Sequence, residues 1–189
     1  MKGFVSCSQI GQDTFVYEQL VKPHNNFSGT FLDIGCSDGI SMNNTIALER
    51  LGWRGLLVDI DPEAIRKCGV NRTSPAVLAD ATTMNWSTIC GEHRLGKSID
   101  YLSLDIDDAH LLPDLQNRES WRAANHRWNA LVFWVLSSLL LSGFSFRAIT
   151  CEHNSGLNQE GADAQRELLK ANNYRLFAEV NKQDDFWLR

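Results

Sequence analysis

The sequence predicts an α/β fold: a doubly wound, mostly parallel, Rossmann-like sheet of seven strands with an antiparallel strand at the C-terminus. Three observations predict it. Short apolar runs alternate with amphipathic segments along the whole chain, and several of these runs are followed by an acidic residue. The four prolines fall in predicted loops or at the starts of elements. Strands that alternate with helices are typical of right-handed crossovers and a parallel sheet.

The first half of the chain contributes three strands and three helices. A helix over residues 9–21 precedes the first strand, Thr30–Ile34, which is apolar and ends in an acid and a glycine. A second helix covers 43–51, and Gly52 ends it. A second strand, 55–59, leads to a helix that begins at Pro62, where proline's fixed φ is favourable. Residues 76–79 form a weaker third strand.

The second half adds two strands, two helices and a hairpin. Residues 99–104 and 146–151 are apolar runs of strand length, separated by a helix over 126–141. A last helix over 163–171 precedes a hairpin of 174–180 with 186–189. We expect one domain, 1–189, with a helical cap over 1–29 and a Rossmann-like core over 30–189, because 189 residues suffice to bury one core.

The composition limits which binding partners and which cellular compartment we expect. A net charge of −5 argues against nucleic acid, whose binding favours a basic surface. Five scattered cysteines show no metal-binding spacing and indicate reduced thiols, so we expect a cytoplasmic protein. No signal-peptide pattern is present, and the most apolar segment, 130–141, is shorter than the roughly 20 residues a membrane span needs. We therefore expect no membrane partner.

Acidic residues follow the predicted parallel strands, where the ligand crevice of such a sheet lies. They are Asp33, Asp59, Asp80, Asp105 and Glu152. The turn from Asp33 to Gly39, DIGCSDG, places two glycines four residues apart beside an acid. Glycine admits close approach of a ligand, and an acid suits a cationic ligand rather than a phosphate. The turn lacks the GxGxxG pattern of dinucleotide sites, which argues against a nicotinamide-dependent oxidoreductase. It favours S-adenosylmethionine, a sulfonium.

The next two strand ends fit the same cofactor. Asp59 is placed to accept hydrogen bonds from ribose hydroxyls, and Asp80 from an adenine amino group. A solvated acid at a strand end explains either residue alone, so the argument depends on their combination. The predicted cofactor-binding residues are Asp33, Gly35, Ser37, Gly39, Asn44, Thr45, Asp59, Ile60, Asp80 and Ala81.

Several segments together resemble the FkbM-type methyltransferase family over nearly the whole chain. They are Ser8-Gln-Ile-Gly-Gln-Asp13, Phe31-Leu-Asp-Ile-Gly35, Asn44-Thr45, Leu48-Glu49, Gly52-Trp-Arg-Gly-Leu-Leu57, Asp59-Ile-Asp-Pro62, Asn71-Arg72, Ile99-Asp-Tyr-Leu-Ser-Leu-Asp105, Glu152-His-Asn154 and Asp184-Asp-Phe-Trp187. The resemblance implies a class I fold and O-methylation of sugars or other hydroxylated natural products. After Asp105 the family tends to continue Asp-x-Glu-Gly-x-Glu, whereas this chain reads Asp105-Ile-Asp-Asp-Ala-His110. That departure bears on the acceptor.

Methyl transfer to a hydroxyl of a small molecule also needs the acceptor's proton removed, by a base or by a divalent ion. The predicted catalytic residues are Asp105, Glu152 and His153, and His110 is a further candidate base. Asp105, Asp107 and Glu152 supply oxygen ligands that suit Mg²⁺. Gln9, Asp13 and His110 are predicted to contact the acceptor. A non-catalytic binding module of the same fold, a non-hydroxyl acceptor and a homodimer stay open.

Overall fold

The computed structural model describes residues 3–25, 27–106 and 118–189, with the backbone alone for 118–128. Seven strands form one sheet in the order β3-β2-β1-β4-β5-β7-β6. The strands are β1 Thr30–Ile34, β2 Arg54–Asp59, β3 Ala76–Leu78, β4 Ser98–Leu104, β5 Ser145–Glu152, β6 Arg175–Val180 and β7 Asp184–Leu188. The helices are α1 Gln12–Val16, α2 Ile46–Arg50, α3 Pro62–Asn71, α4 Trp86–Glu92, α5 Arg118–Leu141 and α6 Gln159–Ala171.

The sheet is parallel from β3 through β1 to β5, and β7 alone runs antiparallel to both of its neighbours. This confirms the predicted fold class and the closing hairpin. In the β5–β7 pair Glu152 lies opposite Asp184, so the C-terminal hairpin brings its own acids to the edge of the sheet where the parallel strands end.

Side chains of the central strands alternate between two apolar cores, one on each face of the sheet. Leu32, Ile34 and Val58 face a core completed by α4, α5 and α6. Phe31 and Leu57 face the other, completed by α1, α2 and α3. These strands are buried on both faces, which explains their continuous apolar runs. No helix in the described part of the chain is long and apolar enough to cross a membrane.

The N-terminal segment departs from the single helix predicted over 9–21. Helix α1 begins at Gln12, continues as a π-helical turn, Tyr17–Val21, and ends in a short 3-10 turn. Gly11 precedes it with φ of +93°, a left-handed conformation that separates the helix from the residues before it. The predicted helix start was therefore wrong, and Gln9 lies in a loop.

Other boundaries moved by a few residues. Helix α2 begins at Ile46 rather than 43, because the Asn43 side chain accepts hydrogen bonds from the backbone N–H groups of Thr45 and Ile46. Helix α4 was not predicted, and Asn85 caps it by accepting from the N–H of Thr88. Helices α5 and α6 begin earlier than expected.

Candidate functional site

A cleft of about 710 Å³ opens at the carboxyl ends of the parallel strands. Six carboxylate side chains line it: Asp33, Asp59, Asp61, Asp80, Asp105 and Glu152. No lysine, arginine or histidine is among the described lining residues. The cleft is therefore a region of negative potential, which favours a cationic ligand and disfavours a phosphate.

The glycine turn after β1 forms the floor of this cleft. Gly35 has φ of +84°, and a Cβ there would lie 1.7 Å from the carbonyl oxygen of Asp105. Only glycine admits that contact, which packs the end of β1 on the end of β4. Gly39 also has a positive φ, but a Cβ on it would meet Arg72 and Cys68, and it does not line the cleft. The two motif glycines therefore have different roles: Gly35 lets β1 pack on β4 at the cleft, and Gly39 lets the turn pack on α3 outside it.

Asp33 is 2% exposed at the base of the cleft. Its Oδ2 accepts hydrogen bonds from Asn43 Nδ2 at 3.0 Å and from Thr45 Oγ1 at 2.7 Å. Burial raises the pKa of Asp33, and the nearby Arg72 acts in the opposite direction. Thr45 supports Asp33 from behind and does not line the cleft itself.

Arg72 connects the glycine turn after β1 with the residues that precede α2. Its guanidinium donates to the Gly39 carbonyl, Asn43 Oδ1 and Thr45 Oγ1 at 3.0–3.2 Å. It also forms an ion pair with Glu49 at 3.2 Å, in which the two side chains are 0% and 8% exposed. Arg72 belongs to the Asn71-Arg72 segment of the family resemblance, but the sequence predicted no role for Arg72 or for Asn43. The arginine at the end of α3 and the asparagine before α2 were visible, but nothing in the sequence indicated that they meet.

The carboxylate of Asp59 joins two turns. Its Oδ2 accepts from the N–H of Ser37 at 2.8 Å, and its Oδ1 accepts from the N–H of Asp61 at 2.9 Å. Asp61, which was not predicted, lines the cleft and caps α3 through the N–H of Glu63. Asp59 therefore lies at the cleft in a fixed orientation, as a ribose-binding acid would need.

The remaining predicted cofactor residues in the cleft are Ser37, Asn44, Ile60, Asp80 and Ala81. Asp80 accepts hydrogen bonds from the N–H and hydroxyl of Thr82 at 2.8 and 2.6 Å. Asn44 is buried and donates to Ser103 Oγ at 3.1 Å, whereas its Oδ1 has no hydrogen-bond partner among the described residues. An orphaned buried acceptor at a cleft wall is a group that a ligand donor would satisfy.

Asp105, Glu152, Gln183 and Gln9 also line the cleft. Gln9 is exposed, and its neighbours in the chain are fixed by two side chains. Asp13 accepts hydrogen bonds from the hydroxyl and N–H of Ser8, and Gln12 Oε1 accepts from the N–H of Ile10. Gln12 also donates to Asp184 Oδ2 at 2.9 Å, which ties the segment to β7.

Two residues predicted to act on the acceptor, His153 and Asp13, do not line the cleft. His153 is 1% exposed, its Nδ1 accepts from the N–H of Ser155, and its Nε2 lies 3.1 Å from Asp185. Asp13 is 0% exposed and is used by the loop that holds Gln9. Both side chains are buried and neither is among the lining residues of the cleft, so their predicted roles stay predictions from sequence.

The predicted metal ligands are only partly described. Asp105 and Glu152 line the cleft together, whereas Asp107 and His110 lie outside the described residues. Over residues 3–25, 27–106 and 118–189, no group of three or more His, Cys, Asp or Glu side chains is arranged to hold a metal ion. Magnesium stays a prediction from sequence.

No protein-family model and no curated protein sequence matches the chain. Solved structures do match. The METTL16 methyltransferase domain, in a form described as delta-N, has a TM-score of 0.60 at 12% identity, covering 94% of this chain and 80% of that one. A human methyltransferase 10 domain containing protein gives 0.59 at 13% identity, over 94% and 80%. The Dnmt2 methyltransferase of S. pombe gives 0.53 at 12% identity, over 86% and 49%. The chain therefore has the fold of these methyltransferases.

Proposed function

We propose that the chain is an S-adenosylmethionine-dependent methyltransferase. The observation that carries the proposal is the cleft, in which predicted cofactor residues from three consecutive strand ends meet: Asp33 in β1 and Gly35 after it, Asp59 in β2, and Asp80 after β3. Residues about 20 to 25 positions apart in sequence converge only because the strands are parallel neighbours. The fold shared with methyltransferases supports the same proposal.

The residues present fit this cofactor. The volume of about 710 Å³ is in the range of small-molecule sites. Carboxylates suit a ligand with a sulfonium and an ammonium group, and Asn44 Oδ1 is a buried acceptor without a described partner. When bound, the cofactor supplies a methyl group on a positively charged sulfur, which leaves as a neutral thioether. Asp59 would hold the ribose, and Asp80 the adenine.

Calorimetric titration with S-adenosylhomocysteine tests the cofactor proposal. We expect binding by the unmodified chain and at least about tenfold weaker binding by Asp59→Asn, since a charge-assisted hydrogen bond contributes about 1.5–3 kcal/mol. The matched control is Glu63→Gln, an exposed acid on α3 that does not line the cleft. Absence of binding at millimolar concentration by the unmodified, folded chain would refute the proposal.

For the acceptor, we propose a hydroxyl group of a small molecule, following the resemblance to FkbM-type enzymes. Gln9, Gln183, Asp105 and Glu152 line the cleft and offer hydrogen-bonding groups to such an acceptor. As the acceptor oxygen forms its bond to the methyl carbon and the carbon–sulfur bond breaks, its proton would pass to the carboxylate of Asp105. Alignment of the reactants supplies much of the acceleration, on the order of 7–11 kcal/mol.

Transfer of a labelled methyl group to a panel of hydroxylated metabolites tests the acceptor and the base. We expect Asp105→Asn to lower turnover by about 100-fold or more while cofactor affinity changes less than threefold, because proton transfer contributes about 10²–10⁴-fold. Glu63→Gln should behave as the unmodified chain. Equal turnover by Asp105→Asn would remove the assigned role. Excess EDTA separates the two routes: turnover that persists would favour Asp105 as the base, whereas loss of turnover with recovery on adding Mg²⁺ would favour the metal-assisted route.

A further inference from the structure

A second pocket, of about 260 Å³, lies away from the cleft and has the opposite charge. Three arginines line it, Arg147, Arg175 and Arg189, together with the side-chain amides of Gln19 and Asn173. No aspartate or glutamate is among its described lining residues. Asp100 pairs with Arg147 at 3.4 Å and leaves the positive charges in excess.

The pocket lies at the other end of the strands that form the cleft. Arg147 is in β5, five residues before Glu152 of the cleft, so about 16 Å separates the two positions at 3.3 Å per residue. Arg175 begins β6, and Arg189 follows β7. A ligand in this pocket therefore leaves the cleft unobstructed.

Packing contacts bring the arginines together although their charges repel. Arg147 is paired with Asp100 at 3.4 Å, and its guanidinium lies 5.2 Å from the centre of the Phe27 ring. The guanidinium of Arg189 lies 5.7 Å from the ring of Tyr174, and its backbone N–H donates to the Arg147 carbonyl at 3.1 Å. Arg175 pairs with Leu188 across the β6–β7 ladder. The ladder and the aromatic rings thus hold three cations around one small space.

We propose that this pocket binds the phosphate or diphosphate group of a small molecule. Guanidinium groups present a planar fork that matches the oxygens of a phosphate, and several arginines favour a multiply charged anion over a single carboxylate. The amides of Gln19 and Asn173 add neutral donors. A volume of about 260 Å³ suits such a group rather than a whole cofactor. The site would be independent of methyl transfer and does not rest on it.

Titration with inorganic pyrophosphate at fixed ionic strength tests the site. We expect the unmodified chain to bind, and the double variant Arg175→Ala with Arg189→Ala to bind at least about tenfold more weakly, because each lost charged hydrogen bond costs affinity. The control is Arg66→Ala, an exposed arginine on α3 paired with Glu63 and absent from the pocket. Circular dichroism should show that all three proteins are folded.

Binding by the unmodified chain and by Arg66→Ala, lost only in the double variant, would support the site. Absence of binding at millimolar pyrophosphate, or equal binding by the double variant, would overturn it. A parallel titration uses a short single-stranded RNA. If the RNA binds more tightly than pyrophosphate and the double variant loses that binding too, the ligand is nucleic acid and the small-molecule proposal fails.

Discussion

The two ends of the sheet carry opposite charges. Six carboxylates line the cleft where the parallel strands end, and three arginines line the pocket at the other end. A net charge of −5 conceals this division. Composition describes the average surface of a protein, whereas the direction of its strands decides which charged side chains lie together. The net charge therefore does not argue against an anionic ligand in the pocket lined by Arg147, Arg175 and Arg189.

The two regions also differ in how they are assembled. Most acids of the cleft end or follow a strand and recur in chain order, so a motif search finds them. The arginines of the pocket belong to β5, β6 and the residue after β7, and only the antiparallel hairpin brings them together. Residues that follow strands are predictable, and residues joined across a hairpin are less so.

Arg72 breaks the simple contrast, because it is a cation buried behind the acidic cleft. Replacing it with alanine removes the ion-pair partner of Glu49 and one hydrogen bond each to Asn43 and Thr45. We expect Arg72→Ala to lower the free energy of unfolding by about 3 kcal/mol or more, the cost of breaking a buried ion pair. Urea denaturation measures this.

Arg66→Ala is the matched comparison, since Arg66 and Glu63 form an exposed pair on the same helix. Such pairs contribute about 0–1 kcal/mol, so a small change is expected. If the two substitutions destabilise the chain equally, the Arg72 network is not what supports the glycine turn.

Two adjacent aspartates in β7, Asp184 and Asp185, have pKa values shifted in opposite directions. Burial, together with the charges of Asp105 and Asp185, raises the pKa of Asp184 to about 6, against the hydrogen bond from Gln12 and the charge of His153. Burial also opposes ionisation of Asp185, but hydrogen bonds from Arg166 and His153 outweigh it and lower its pKa. The two residues therefore respond to pH with opposite signs.

The native form of Asp184 holds its proton more tightly than the unfolded chain, so its contribution to stability falls as pH rises from about 4 to 6. We expect Asp184→Asn to remove this decline, of about 3 kcal/mol for a pKa raised from 3.8 to about 6. Asp185 stabilises the native state above its unfolded pKa and loses that effect as pH falls through its lower native pKa. Asp185→Asn should thus cost about 2 kcal/mol at neutral pH. Urea denaturation of both variants between pH 4 and 8 measures the difference, and parallel curves would contradict it.

Salt gives the smallest expected effect and compares both regions directly. The arginines of the pocket are partly exposed, and the side chain of Arg147 is 43% exposed, so screening acts strongly there. Raising NaCl from about 0.1 to 0.5 M should weaken pyrophosphate binding roughly tenfold and S-adenosylmethionine binding less than threefold. Calorimetry of each ligand at both salt concentrations decides this. A cofactor affinity with the steeper salt dependence would reverse the assignment of the two regions.

The sequence predicted the sheet and much of the cleft for a local physical reason. A strand buried on both faces is a continuous apolar run, and the polar residue that follows it must lie at the sheet's edge. Asp33, Asp59, Asp80, Asp105 and Glu152 were found in this way, and all five line the cleft.

The tertiary structure decided which distant segments of the chain come into contact. It placed Arg72 beneath the glycine turn, turned His153 toward Asp185, and used Asp13 to shape a loop. A histidine that follows a strand can turn toward the cleft or toward the neighbouring strand, and the packing of β7 determines which of the two His153 faces.

The sequence by itself therefore determined the fold class and the acids of the cleft, because both follow from the periodicity of single strands. Tertiary structure alone decided the Arg72 network, the burial of His153 and the meeting of Arg147, Arg175 and Arg189. Each of these joins residues from different elements, whose distance in space depends on strand order and register rather than on their spacing in the chain.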